Sequence, residues 1–324
     1  MSNRNLTFDI AKAISVIIIV VYHLYEVLLS GLPLIFFSWI VHASMALFFY
    51  SSAKFLSGSK IQNIKDAYLF IKKRLKRFYV LYVLAAISLL LVGFNAEIRV
   101  FITMILGISS YFPPQPSTLW FMSMLMSFYF ITPLILYFEK KTARAGILFL
   151  IFICLFVIAK FVTPIDDRFF LYFPFYGAGF LVQDFDFSKL RLKWKWLENI
   201  SICVLFISTV LLHTHFLKEN FIANSLLQYW GCFLGILLIL GISSWIAERQ
   251  GWIITLLTKI GYSTLAIYLY HRLFFYFLLS DFYLSKDDLL SVLYSIFIVL
   301  PLTIVGACYI QKVHDLILKK IIKS

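Results

Sequence analysis

The chain has 324 residues, 62% of them hydrophobic and 19% aromatic, with only 14% charged. A water-soluble domain cannot hide that much apolar surface, and apolar runs near twenty residues recur along the chain, so the class is an all-α polytopic membrane protein. The runs are continuous rather than alternating, which excludes a β-barrel. The formal charge of +13 then belongs to basic loops facing anionic membrane lipids and not to nucleic-acid binding.

Predicted spans lie at roughly 10–29, 34–56, 77–94, 119–138, 145–162, 168–183, 199–216, 222–246, 261–279 and 289–310. Residues 98–112 are apolar but short and end at Pro113-Pro114-Gln115-Pro116, which stops a helix. A re-entrant or interfacial segment is expected there. With that segment not crossing, 23 of the 29 Lys and Arg residues fall on the side of the N-terminus, from Arg4 and Lys12 to the tail with Lys312, Lys319, Lys320 and Lys323. Cytoplasmic loops carry such an excess. About ten transmembrane helices with both termini cytoplasmic are therefore expected, in one membrane-embedded domain over residues 1–324. The N-terminus has no small-residue cleavage site after its apolar core and is expected to stay as an anchor.

The first span carries Asp9, Lys12, His23 and Glu26. Lys12 and His23 are eleven residues apart, about three turns, so they share a stripe with an offset of about 20° and a rise of about 16 Å. Ionisable groups at that depth are costly and mark functional sites by default; a histidine bonded between helices and a lysine snorkelling to headgroups is the structural alternative. In the second span, His42 is another histidine within the membrane. At the start of the third, Lys73, Arg74, Lys76 and Arg77 crowd one turn and a half. Guanidinium forks suit phosphate oxygens, while lipid headgroups would attract the same cluster.

Trp120 opens the fourth span as an interfacial aromatic. In the loop before the sixth span, Asp166, Asp167 and Arg168 are read as a solvated turn, with contact to an extracytoplasmic substrate as the alternative. Pro174, Gly177 and Gly179 in the sixth span allow close helix approach. His213 and His215 are two residues apart, a spacing that a helix splays, so no metal site is expected. The four cysteines (Cys154, Cys203, Cys232 and Cys308) lie in apolar runs and are expected to be packing residues. Near the end, the run from Gly261 through Ser263 and Tyr270 places His271 and Arg272 near mid-membrane.

Five of these motifs, in this order, resemble the acyltransferase-3 family of integral membrane acyltransferases. They are the acid-base-histidine set Asp9, Lys12, His23; the small-residue run Ser51-Ser52-Ala53 after Phe48-Phe49-Tyr50; the basic motif from Lys73 to Tyr79; the Trp120 to Pro133 stretch; and the Gly261 to His271 run. Lys12 stands where the family usually has arginine. Leu125 and Met126 stand where acidic residues are often found, so no carboxylate role carries over there.

The resemblance implies a membrane O-acyltransferase. It would move an acyl group, expected to be acetyl, from acetyl-coenzyme A or another acyl-coenzyme A to a hydroxyl of a cell-surface polysaccharide or lipid-linked sugar. The chain would lie in the bacterial cytoplasmic (inner) membrane, with other polysaccharide biosynthesis proteins as candidate partners, and no metal is expected. On that reading Lys73, Arg74, Lys76, Arg77 and Trp120 hold the donor, whose phosphates are cytoplasmic. His23 is the expected general base, because a hydroxyl is a poor nucleophile at neutral pH. Lys12 is too far up the stripe to bond His23 and is expected to pair with Asp9 or the donor. Glu26, one turn beyond His23, orients the imidazole or meets the acceptor, and His271, Arg272 and His42 are candidates for acceptor binding. A polysaccharide or lipid-linked sugar exporter is the rival from another class.

Overall fold

The computed structural model describes residues 5–28, 33–93, 97–112, 119–162, 165–182, 195–213, 221–279 and 289–323. The proline turn at 113–116, the basic residues Arg4, Lys189, Arg191 and Lys193, and His215 lie outside the described residues. Within them the chain is helical throughout, with no strand. Five helices are long and apolar enough to cross a membrane: Leu6–Glu26, Trp120–Tyr137, Lys141–Phe161, Ala223–Ala247 and Leu289–Lys320. A bent pair, Trp252–Tyr262 and Thr264–Leu279, makes a sixth candidate. Many of the side chains on these helices are exposed and apolar, Phe149, Leu150, Phe156 and Val157 among them, and such surface is stable only against lipid.

The chain divides into two units. The first comprises residues 1–48 and 184–313. It holds α1 (Leu6–Leu28), the first two-thirds of α2 (Pro33–Leu56), α8 (Lys195–Leu212), α9 (Phe221–Ala247), α10 (Trp252–Tyr262), α11 (Thr264–Leu279), α12 (Leu289–Tyr294) and most of α13 (Leu300–Lys323). Here α1 packs against α9, α10 and α11, and α8 packs against α9. Small residues set the approach: Gly261 sits on the Asp9 backbone and Gly235 on Ala43. Between α12 and α13 the turn widens to a π-helix at Ser295–Val299, where Pro301 has no N–H to give the carbonyl four residues back.

One expected span is broken. The run placed at 261–279 starts on α10 and finishes on α11, and the axes of the two helices differ by 79°. At the break the Ser263 N–H is shared between the carbonyls of Lys259 and Ile260, and Thr264 Oγ1 donates to the Gly261 carbonyl at 2.7 Å. The Thr264 hydroxyl satisfies a carbonyl that a continuous helix would have bonded through a backbone N–H.

The second unit comprises residues 49–183 and 314–324. It holds the end of α2, α3 (Ile64–Leu91), α4 (Ile98–Ile105), α5 (Trp120–Tyr137), α6 (Lys141–Phe161), α7 (Asp167–Leu181) and the last turns of α13. α3 packs on α4 and α5, and α6 packs on α5 and α7. Its core is aromatic: Phe49 meets Phe121, Phe128 and Tyr172, and Phe128 stacks on Tyr176. α4 has eight residues, about 12 Å of rise, too short to cross a hydrocarbon core of about 30 Å. Tyr79 and Tyr82 hold its end by donating to the carbonyls of Ile105 and Met104.

α3 begins well before the expected residue 77. Asn63 Oδ1 accepts from the Asp66 N–H at 2.9 Å, and Asp66 Oδ2 accepts from the Gln62 N–H at 3.0 Å, a reciprocal N-terminal cap. The basic cluster is therefore inside a helix rather than at the start of one.

Candidate active site

In the first unit, α1 and α11 bring four polar side chains together. His23 and Glu26 are one turn apart on α1; His271 and Arg272 are neighbours on α11, and their side chains leave the helix about 100° apart. Arg272 Nη2 lies 2.9 Å from His23 Nδ1 and donates to Glu26 Oε2 at 3.2 Å. Glu26 Oε2 is itself 3.0 Å from His23 Nδ1. The His271 ring stacks on His23, centroids 5.1 Å apart and planes within 15°. Side-chain exposure is 16% for His23 and 40% for Glu26, so the cluster is shielded yet open on its glutamate side.

His271 has no such opening and is fully buried. Its Nδ1 is 2.7 Å from the Tyr268 carbonyl. A carbonyl only accepts, so Nδ1 carries the proton and Nε2 the lone pair. That Nε2 is buried and has no hydrogen-bond partner among the described residues.

Lys12 stands apart from this cluster on α1 and bonds Asp9 at 2.8 Å, one turn away. The Asp9 carboxylate is nearly buried (side chain 6% exposed), and its backbone is the surface on which Gly261 rests. His42 is half-buried on α2. His213 bonds Asn224 Oδ1 at 2.6 Å and meets the Trp39 ring edge-on.

In the second unit, the basic turn of α3 sorts its residues by face. Phe70, Arg74 and Phe78 fall on one stripe, with both phenylalanines buried, while Lys73, Lys76 and Arg77 are exposed. Arg74 lies over the Phe70 ring at 5.4 Å, and its Nε is buried with no hydrogen-bond partner among the described residues. A buried guanidinium N–H without an acceptor is costly. In the same unit, Ser52 and Tyr129 share a hydrogen bond of 3.0 Å, and Tyr176 pairs with Thr132.

Residues 5–312 match a family model described as an acyltransferase domain. The chain belongs to the acyltransferase-3 family. No curated protein and no solved structure matches it significantly. Membership makes the chain a membrane acyltransferase, and the structure accounts for two positions where it departs from the family pattern or from expectation. Leu125 and Met126 are buried, and the Met126 thioether packs over Gly107, which takes a φ of +72°; an acid there would be buried against that turn.

The loop residues Asp166 and Arg168 are not a solvated turn. Asp166 caps α7, accepting from the Arg168 backbone N–H at 3.0 Å, and receives Arg168 Nε and Nη2 at 2.9 and 2.7 Å. The guanidinium so held lies 4.0 Å over the Trp120 ring, and Trp120 stacks on Tyr172. The i, i+4 spacing of Arg168 and Tyr172 on α7 was visible in the sequence; the packing of Trp120 against both was not.

Proposed function

We propose that this acyltransferase transfers an acetyl group from acetyl-coenzyme A to a hydroxyl of a cell-surface polysaccharide or lipid-linked sugar, with His23 as general base. The arrangement of His23 carries the reading: a shielded imidazole whose Nδ1 faces Glu26 and Arg272 has only Nε2 left for a substrate. In the transfer, the acceptor O–H proton goes to His23 Nε2 as its oxygen attacks the thioester carbonyl. The tetrahedral adduct collapses with loss of the C–S bond, and the sulfur takes the proton from Nε2 to leave as free thiol. A positioned base of this kind contributes about 10²–10⁴-fold.

Arg74 and Arg77, with Lys73 and Lys76, hold the donor's phosphates. The partnerless buried Nε of Arg74 supports that role, because an anionic oxygen would satisfy it. Trp120 serves the same ligand. Arg272 and His42 line the acceptor's approach, His271, fully buried, serves it through the His23 ring on which it stacks, and Lys12 with Asp9 stabilises the end of α1. The whole chain is one domain of ten spans and one interfacial segment, α4, in a bacterial cytoplasmic membrane with both termini inside. The exporter reading has no comparable support.

The test is acetyl-coenzyme A turnover by the purified protein in nanodiscs with a hydroxyl-bearing glycan acceptor. Thiol release by wild type that is lost in His23→Gln, with donor binding weakened in Arg74→Ala, is the expected result. A wild-type protein that binds no acetyl-coenzyme A overturns it.

A further inference from the structure

Two groups compete for one atom at the centre of the cluster. Glu26 Oε2 and Arg272 Nη2 both lie within 3.0 Å of His23 Nδ1. A guanidinium nitrogen only donates and a carboxylate only accepts. Nδ1 has either one proton or one lone pair, so it serves one partner at a time. With the lone pair toward Arg272, the ring proton sits on Nε2. With a proton toward Glu26, the lone pair sits on Nε2.

We infer that Arg272 is a positioning residue that sets the tautomer of His23, holding it with Nδ1 as acceptor and Nε2 protonated until Arg272 is drawn to another oxygen. This rests on the proposed role of His23 as base. The geometry gives Arg272 the hold in the absence of substrate. The same Nη2 that lies 2.9 Å from Nδ1 also donates to Glu26, so both acceptors are satisfied at once. The opposite tautomer leaves Arg272 only the carboxylate. Arg272 Nε already has no partner among the described residues, so this side chain has donor capacity left for an incoming substrate oxygen.

When Arg272 turns to that oxygen, the ring proton moves to Nδ1, Glu26 accepts it, and Nε2 is free to take the acceptor hydroxyl proton. No atom is gained or lost; one proton changes ring nitrogen through exchange with solvent or substrate. The neighbouring His271 cannot make this change, since its Nδ1–H is committed to the Tyr268 carbonyl.

The experiment is nitrogen NMR of histidine-labelled protein in nanodiscs, which distinguishes protonated from bare ring nitrogens, with the His23 signals assigned by their loss in His23→Gln. Without substrate, wild type is expected to show Nδ1 bare and Nε2 protonated; Nδ1 protonated there overturns the inference, and this reading needs no Arg272 variant to fold. In Arg272→Met the proton is expected to move to Nδ1, held by Glu26, whereas Arg272→Lys, still a donor, keeps the wild-type pattern. An unchanged tautomer in a folded Arg272→Met protein also overturns it. The base role is judged separately: thiol release that survives in His23→Gln removes the base assignment while leaving the tautomer result as measured.

Discussion

The first unit's polar cluster and the second unit's basic turn use arginine differently: Arg272 has a carboxylate partner in Glu26, and Arg74 is half-buried over Phe70. Around His23 every charged group has a counterpart: Arg272 meets Glu26 and His23, and Glu26 meets both. On α3, four basic side chains fall within five residues, and Arg74 turns inward to end on a buried Nε with no acceptor among the described residues. The charges around His23 hold one another in place, so the cluster is preorganised, although Arg272 Nε, like Arg74 Nε, is buried with no hydrogen-bond partner among the described residues. On α3 the unpartnered Arg74 Nε leaves a donor that an anionic ligand can fill. The first pattern suits the chemical step and the second suits donor capture, so damage to the two should appear in different kinetic constants.

The largest expected effect is His23→Gln. Thiol release from acetyl-coenzyme A should fall about 10²–10⁴-fold, with donor affinity measured by calorimetry close to wild type. Loss of donor affinity alongside rate would break the division between the two regions.

Next is Arg74→Ala. A hydrogen bond to a charged group contributes about 1.5–3 kcal/mol, so donor Kd should rise about 10- to 150-fold. The maximal rate at saturating donor should hold, and Arg77→Ala should cost less, because Arg77 is exposed and screened. Equal losses in the two variants would mean that the inward turn of Arg74 has no bearing on the ligand.

These contrasts show what sequence could and could not supply. Membrane class, the short α4 segment and the residues of the first span follow from composition and from the 3.6-residue period, which act locally. The start of α3 was also written locally, in Asn63 and Asp66, yet the expected span began only at residue 77, because a helix that leaves the membrane loses its apolar signal. The break at Ser263 and Thr264 hid for a different reason: small hydroxyl residues within an apolar run are tolerated in most helices, so nothing local announces the 79° turn. The contact between His23 and Arg272 joins residues 249 apart. Spacing along one helix could pair Lys12 with His23 on a stripe but could not say which residue of another helix would reach the ring.

Two glycines test packing in each region separately. Gly261→Ala would drive a methyl group into the Asp9 backbone, and Gly179→Ala would meet Tyr50 O at 2.6 Å and Lys54 N at 2.8 Å. Backbone cannot swing aside as a side chain can, so each should cost about 1–3 kcal/mol, read as a lower midpoint of thermal unfolding in detergent. Gly261→Ala should also lower thiol release at saturating donor, because it shifts α10 against the helix that carries His23. Gly179→Ala should leave the saturated rate of the folded fraction unchanged. The reverse assignment would mean that α10 plays no part in positioning α1.

The smallest effect is expected at Arg168, a third use of arginine. Its guanidinium is held flat over Trp120 by Asp166, which is itself nearly buried (side chain 6% exposed). Arg168→Lys keeps a cation for that carboxylate and loses only the planar stack, so thermal stability should fall by about 0.5–1 kcal/mol. Arg168→Met removes the cation as well and strands a buried carboxylate, a larger loss. If Trp120 touches only protein, both variants should leave donor Kd unchanged while stability falls in that order. A donor Kd that rises in Arg168→Lys, with stability barely moved, is the result expected if Trp120 serves the donor as proposed, whereas an unchanged Kd removes Trp120 from the donor site.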